Sequence, residues 1–458
     1  MPVENQVREL DSKILLACVA ARQGFSSVVG FRREIHFHIS SLPPSIYLSK
    51  SMTASSDLVF RIMRNLGHEI AAWDEEALVH LPAEIYYSRR LSPGAMALVS
   101  HMFAWGNDNA ELWRQYSHLP KGAEIDVTGN PRNDLLRPEI RPYYDKTVAE
   151  IRKEYKDFIL INTNFNHVNA FYPGLNLMVP SDKPGEQSEF GRAAKGMSRE
   201  YAEGLRDLKQ AVFEKFRELI PALGKEFPEH NIVVRPHPTE NQEIYRTIAA
   251  QCRRVWVTNE GNVVPWLMAT KAVIHNGCTT GVEAYAMGVP AISYRAAVNE
   301  EYDYGFYRLP NLLSYQCFDF DELQITLGKI LSGKIGPAAG DERKKLADKY
   351  LAALHGPLAC ERIVDVCTKM LDGQDKISRP PLHRWLKGYC LASMRTLKRK
   401  FKARHPRARN KPEFHRHRYP EVSLEDMGER VLRFQQVLGD SGELKVKKIL
   451  GQFFQVSP

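Results

Sequence analysis

Three small groups of polar residues, each at the end of an apolar run, are where this sequence could do chemistry. In 272–294 a short apolar run ends in His275 and Asn276, turns at Gly277, and enters a helical pattern through Cys278, Thr279 and Thr280. A strand, turn and helix of this kind presents hydroxyls and backbone amides at a first helical turn, where the macrodipole favours an anion such as a phosphate. Glu283, four residues after Thr279, shares its helical face one turn deeper, within reach of a ribose hydroxyl. The same pattern also fits an ordinary capped helix of an α/β sheet.

The second group is Arg235, Pro236, His237 and Pro238, delivered by the buried strand pattern at 232–234. The two prolines fix the backbone around His237, whose imidazole can then donate a hydrogen bond to a phosphate or a leaving group. Its plainer alternative is a histidine that bonds the structure together. The third group, Asp74, Glu75 and Glu76, directly follows the strand pattern at 69–73. In an open α/β sheet the carboxyl ends of strands face the ligand crevice, and packed like charges raise one another's pKa, as suits a proton acceptor near neutrality. A solvated acidic first turn is the other possibility. Thr163 and Asn164, in the small polar loop after the apolar run FILIN, are further candidates.

Holding these groups in place requires a sheet. Apolar runs at 27–31, 46–48, 70–73, 101–105 and 125–128 alternate with segments of helical spacing, and a second such series starts at 158. This predicts an α/β chain of two Rossmann-like doubly wound domains facing a cleft, with a hinge between 134 and 157. The expected divisions are 1–140, 155–375 and a basic helical tail at 376–458. A long connection is expected over 173–196 and an aromatic loop over 302–311. The 458 residues are 43% hydrophobic and carry no apolar run long enough to span a bilayer and no leader pattern, which places the protein inside the cell. Seven scattered cysteines without a CxxC pair argue against a disulfide framework or a zinc site.

The net charge of +9 is uneven: 381–418 holds thirteen Lys and Arg against one acid, which leaves the rest of the chain at −3. Basicity confined to one segment weakens a nucleic-acid reading of the body. Within 384–404, Leu386, Cys390, Met394, Leu397 and Phe401 recur at helical spacing, with Trp385 beside them and Lys398, Arg399 and Lys400 close by. That is the pattern of a helix lying on an anionic membrane surface, on the cytoplasmic face of the inner membrane. A nucleic-acid tail, or a helix packed on the body, are the competing possibilities.

Taken together, the motifs resemble bacterial surface-carbohydrate biosynthesis proteins of GT-B glycosyltransferase architecture. They more distantly resemble the bacterial sialyl-, polysialyl- and Kdo transferases that use CMP-activated sugars. Those relatives carry an acidic pair followed by Gly, an HP motif and a hydroxyl pair. Glu75 and Glu76, His237 and Pro238, and Thr279 and Thr280 stand at these places, within a resemblance covering roughly 1–370. Ala77 replaces the Gly, and Asp11 in the first helical pattern rivals the pair as catalytic base. The segment VTGNPRNDLL (127–136) is also similar to the interdomain segment of CDP-glycerol phosphotransferases and UDP-sugar 2-epimerases. The resemblance implies metal-independent transfer of a sugar, without a cofactor, from a nucleotide-sugar to a glycan or lipid-linked acceptor. His237 and the Thr279/Thr280 turn would hold the donor phosphate, and Glu75, Glu76 or Asp11 would deprotonate the acceptor. An epimerase, a CDP-glycerol-type transferase or a non-catalytic glycan-binding protein are the alternatives.

Overall fold

The computed structural model describes all residues except 182–186, 304–307, 372–376 and 404–418. The chain is α/β and divides into two Rossmann-like units, one formed by 1–78, 90–143 and 348–458, the other by 79–89 and 144–347. The expected division differs in two respects, the first being that residues 79–89, expected in the first domain, belong to the second unit. Residues 348–458 belong to the first unit, so neither 348–375 nor the tail stands where sequence pattern put it. The strands in chain order are β1 (Pro2–Val3), β2 (Ser27–Phe31), β3 (Ile46–Ser49), β4 (Glu69–Ala72), β5 (His101–Phe103), β6 (Glu124–Asp126), β7 (Phe158–Asn162), β8 (Met178–Val179), β9 (Glu189–Phe190), β10 (Asn231–Arg235), β11 (Val255–Val257), β12 (Ala272–His275), β13 (Ala291–Tyr294), β14 (Tyr315–Cys317), β15 (Lys445–Leu450) and β16 (Phe453–Ser457).

In the second unit the strands form one parallel sheet in the order β11-β10-β7-β12-β13-β14. All five residues of β7 are buried, as expected of a central strand covered on both faces. The helix Arg199–Glu226 lays Phe213, Phe216, Leu219, Ile220 and Leu223 over Ile159, Ile161, Ile232 and Val234. Ser198 caps it by accepting from the Tyr201 amide at 3.2 Å, and it runs on through Pro221. The segment 173–196 contains the antiparallel pair β8 and β9. In 302–311, expected as a loop, helices Glu300–Asp303 and Arg308–Leu312 flank the undescribed residues 304–307.

The first unit contains the parallel sheet β3-β4-β5-β6 and a separate sheet β1-β2-β16-β15. Strand β2, expected in the parallel sheet, instead pairs antiparallel with β16 from the end of the chain. At Gly30 a Cβ would stand 2.4 Å from the Phe453 Cα and the Gln452 carbonyl oxygen, so the two backbones meet where a side chain is lacking. The first helix, Gln6–Arg22, is buried from Glu9 to Ala21 and packs on helices Ala359–Met370 and Leu424–Leu438. Asp134, from the 127–136 segment, receives the Ala359 and Cys360 amides at 2.8 Å each and so caps the helix Ala359–Met370. The helix Leu382–Ala403 packs on helix Asp57–Asn65, and the basic residues 404–418 lie outside the described residues. No helix among the described residues is long and apolar enough to cross a membrane.

Candidate functional site

Chain order in the second sheet runs outward from β7 through β10 and β11, then returns to β12 and runs outward the other way. Ligands in open α/β sheets bind outside the carboxyl ends of the strands where this reversal occurs. The reversal lies between β7, which ends at Asn162, and β12, which ends at His275. Two hydrogen bonds link its sides: the Asn162 amide group donates to Thr280 Oγ1 at 2.9 Å, and the Asn164 amide donates to Asn276 Oδ1 at 2.9 Å.

The expected strand, turn and helix are present at 272–287, and the turn residues take different places in them. Gly277 has φ +80°, the left-handed region that glycine adopts without strain. His275 Nδ1 accepts the Gly277 amide at 3.0 Å, and its Nε2 lies 2.8 Å from Ser314 Oγ, which itself donates to the Pro310 carbonyl. This network makes His275 a neutral, fully buried strut, pushed down to about 3 by burial. Gly281 makes room for it, because a Cβ there would lie 2.4 Å from His275 Nε2. Helix Thr279–Met287 follows with Cys278 at its N-cap and no side-chain cap bond. Thr280 is buried on Asn162, whereas Thr279 remains half-buried at the first turn. Glu283 is buried one turn further in.

The HP loop is organised by a residue that the sequence reading passed over. Glu240 accepts from Thr163 Oγ1 (3.0 and 3.1 Å), Tyr245 OH (2.6 Å) and the His237 amide (3.0 Å). It thereby ties the loop after β7 to the loop after β10. His237 Nδ1 accepts the Thr239 amide at 3.3 Å and lies 2.8 Å from Thr239 Oγ1. This leaves the ring proton on Nε2, the tautomer a phosphate-donating imidazole needs. Pro238 stays half-buried beside it. Arg235 does something other than bind an anion. Its guanidinium donates to the Glu260 and Gly261 carbonyls at 2.8 and 3.1 Å and lies 4.7 Å from the centre of the Trp266 ring, where burial pushes it down to about 9.

Basic groups not singled out in the sequence gather here. Lys209 is buried, and burial lowers its pKa to about 7, with Glu240 opposing and Arg89 adding to the fall. His167 is pushed well below the usual imidazole range by burial, Lys209, Arg89 and His237. Lys209, Asn276, Arg295 and Asn311 line a cavity of about 30 Å³, room for a water. Lys209 had a signal in sequence, since it interrupts the apolar stripe of Leu205, Phe213 and Phe216. Arg89, far away in the chain, had none. Asp319 and Asp321 have the spacing of a metal-binding DxD triplet, but Asp319 is the N-cap of helix Phe320–Leu331, accepting from the Glu322 amide at 2.8 Å.

In the first unit the acidic group sits among cations, contrary to the expectation that its carboxylates raise one another. Asp74 is buried and held by Arg90, whose Nε and Nη2 donate to its two carboxylate oxygens. Glu75 is buried, with Lys13 Nζ at 3.0 Å, Trp73 Nε1 at 2.8 Å and Arg132 at 3.9 Å. Burial pushes its carboxyl up, but Lys13, Arg132 and Lys50 outweigh this and hold it well below the usual range. Glu76 reaches solvent and pairs with Arg8 at 3.4 Å. The low-dielectric surroundings push it up, yet Arg8, Arg90, Lys50 and Arg132 hold it at about 2. Asp11 is buried between Tyr143 OH (3.2 Å) and Arg430 (2.7 Å), a bond from first helix to last rather than an accessible base. Among the described residues no cluster of His, Cys, Asp and Glu is arranged to hold a metal ion.

On the helix Leu382–Ala403, Lys398 and Lys400 are exposed and Trp385 is 37% exposed. Arg399, expected with them, is half-buried: burial, with Arg32 and Arg33 nearby, lowers its pKa.

No protein-family model matches this chain, and no curated protein does. Among solved structures the chain is similar to the wall teichoic acid polymerase TagF, at 12% identity and a TM-score of 0.43, over 68% of this chain and 70% of that one. It is also similar to the UDP-GlcNAc 2-epimerase of Methanocaldococcus jannaschii, at 13% identity and a TM-score of 0.42, over 74% and 79% of the two chains. For the UDP-GlcNAc 2-epimerase of Neisseria meningitidis the values are 12% and 0.42, over 81% and 83%. Likeness at this level carries no argument about substrate or reaction.

Proposed function

We propose that this chain is a glycosyltransferase of surface-polysaccharide synthesis that takes its sugar from a nucleotide-activated donor, with cytidine nucleotides as the preferred class. One observation carries the nucleotide site. His237 with its proton on Nε2, the Asn276–Gly277 turn and the first turn of helix Thr279–Met287 all stand at the carboxyl ends of β10, β7 and β12, around the point where strand order reverses. Lys209 and Arg89 add a chargeable and a positive group beside them. Such a site suits a phosphate at the helix end. The cytidine preference rests on the motif resemblance alone.

In the transfer, the bond from the anomeric carbon to the donor phosphate oxygen breaks and its electron pair stays on that oxygen. His237 and the helix end stabilise the charge that develops there. The acceptor hydroxyl oxygen bonds to the anomeric carbon and gives up its proton. We assign that proton to Glu76, the acid of the triplet whose carboxylate reaches solvent. With so low a pKa, Glu76 takes the proton only once the new bond is well advanced.

A thermal-shift panel of CMP, CDP, UDP and GDP tests the donor. A nucleotide at a hundred times its Kd adds about 2.7 kcal/mol to the bound fold, so the cytidine nucleotides should raise Tm by several degrees. His237→Ala should shrink that rise. A response to UDP or GDP alone overturns the cytidine assignment, and no response to any of the four overturns the nucleotide site.

A further inference from the structure

The helix Leu382–Ala403 is docked by one face and uncovered on the other. Its inner face is small and close-fitting: a Cβ at Gly388 would come to 3.0 Å of Asn65 Cβ and Leu66 Cγ, and Ala392 is buried in the same cluster as Phe60, Met63 and Leu66. Arg384 donates to the Arg64 carbonyl at 3.2 Å, and Arg395 reaches His36 at 3.4 Å. The outer face carries large apolar side chains at helical spacing that remain in water: Leu382 at 71% exposure, Leu386 at 48%, Tyr389 at 45%, Met394 at 53%, Leu397 at 56% and Phe401 at 60%. A soluble surface rarely leaves so many large apolar groups in one row.

The charge around this row selects its partner. The helix contains no Asp or Glu, and Arg384, Lys387, Lys398 and Lys400 are all exposed. A second copy of the chain would meet the row with the same acid-free basic face, which like-charge repulsion opposes. We infer that this helix is an interfacial element that seats the first unit on an anionic phospholipid bilayer. The apolar row enters the boundary between headgroups and acyl chains, and the lysines stay among the phosphates. Trp385 and Tyr389 stack with ring centres 5.3 Å apart, a pair suited to that boundary. Because Gly388 and Ala392 already hold the helix on the body, docking requires no new folding. This assignment is independent of the donor site and does not rest on it.

The test uses the full chain and two vesicle preparations, pure phosphatidylcholine and phosphatidylcholine with a third phosphatidylglycerol. Cys390 is exposed on this helix, while the other six cysteines are buried or half-buried. A bimane label on Cys390, in a Cys252→Ser background, therefore reports the helix surface. The expected result is co-sedimentation with the anionic vesicles, weakened by salt, together with a blue shift of the label. Leu386→Glu with Leu397→Glu should weaken partitioning by about tenfold or more, while Ile325→Glu, at a 58% exposed site on another helix, should leave it unchanged. Equal pelleting of the parent and the Leu386/Leu397 variant would overturn the assignment. So would equal binding to both kinds of vesicle, or a parent dimer that this variant converts to monomer without any lipid binding. The urea midpoint and far-ultraviolet circular dichroism of the same variant, equal to those of the parent, check that its fold is intact.

Discussion

At neutral pH a lysine with its ordinary pKa is charged whatever it binds, but Lys209, brought to about 7 mainly by burial, is poised to take up a proton when an anion arrives. If a donor phosphate occupies the β7–β12 reversal, its binding should consume protons between pH 7 and 8. The affinity should then fall as pH rises above about 7, by at most about tenfold per unit. Calorimetry in buffers of different ionisation enthalpy measures the uptake directly, and Lys209→Met should abolish it; a heat independent of buffer would remove Lys209 from the site. The acids of the first unit should separate in the same way by what each one touches. Glu75→Gln leaves Lys13 buried without its counter-charge and should cost about 3–5 kcal/mol of stability. Glu76→Gln touches solvent and Arg8, so it should leave the melting temperature nearly unchanged while lowering transfer by about 10² to 10⁴. The opposite pattern, an active Glu76→Gln and a stable but inactive Glu75→Gln, would return the catalytic role to Glu75. These acids were legible in the sequence as a charged cluster, but their protonation was not, because Lys13, Lys50, Arg90 and Arg132 reach them only through the fold.

Among the elements, the second unit was read well because its signals are local. The apolar runs at β7, β10 and β12 are continuous, as buried parallel strands must be, and each ends in polar residues of the candidate site. Strand β2 shows the opposite case. Its apolar run is equally clear, yet its partner β16 begins more than 400 residues later, a pairing that no periodicity encodes. The close contact at Gly30 makes that pairing testable. Gly30→Ala places a methyl against the backbone of Gln452 and Phe453 and should cost about 1–3 kcal/mol, read as a lower urea midpoint at unchanged slope. Unchanged stability would mean that β2 and β16 are not paired as described. The helix Leu382–Ala403 was legible as amphipathic, but the docked small-residue face depends on helix Asp57–Asn65, and the half-burial of Arg399 brings it near Arg32 and Arg33.

For the molecule as a whole, pH sensitivity follows from histidines buried in neutral form. His275 in the second unit and His68 in the first are lowered by burial to about 3 and about 4. Their contributions are fully present above the unfolded histidine pKa of about 6.5 and are lost as pH falls toward the folded values. Glu75, buried and held low in the fold, adds a second loss once pH drops below about 4.5. Asp134 has the opposite sign. Burial raises it to about 6, so its contribution is present below about 3.8 and is lost as pH rises through 6. With the two histidines outweighing this single carboxyl, melting temperature should decline from about pH 6.5 downward. A melting temperature flat from pH 7 to 4.5 would contradict the neutral assignment of His275 and His68.

The sequence by itself determined what local pattern can specify: an α/β chain, the strand ends that carry His237, Asn276 and Thr279, the Gly277 turn, and an amphipathic basic helix near the C-terminus. Each of these rests on residues within a turn or two of one another, where propensity and periodicity act. The tertiary structure decided the rest. It made Glu240 the tie between two loops, gathered Lys209, Arg89 and His167 beside His237, turned Arg235 and His275 into supports, paired Asp11 with Arg430, and joined the last strand of the chain to the second. The physical reason is the same in every case: a buried charge or an unpaired strand edge must find a partner, and the fold brings that partner from a part of the chain that local sequence does not identify.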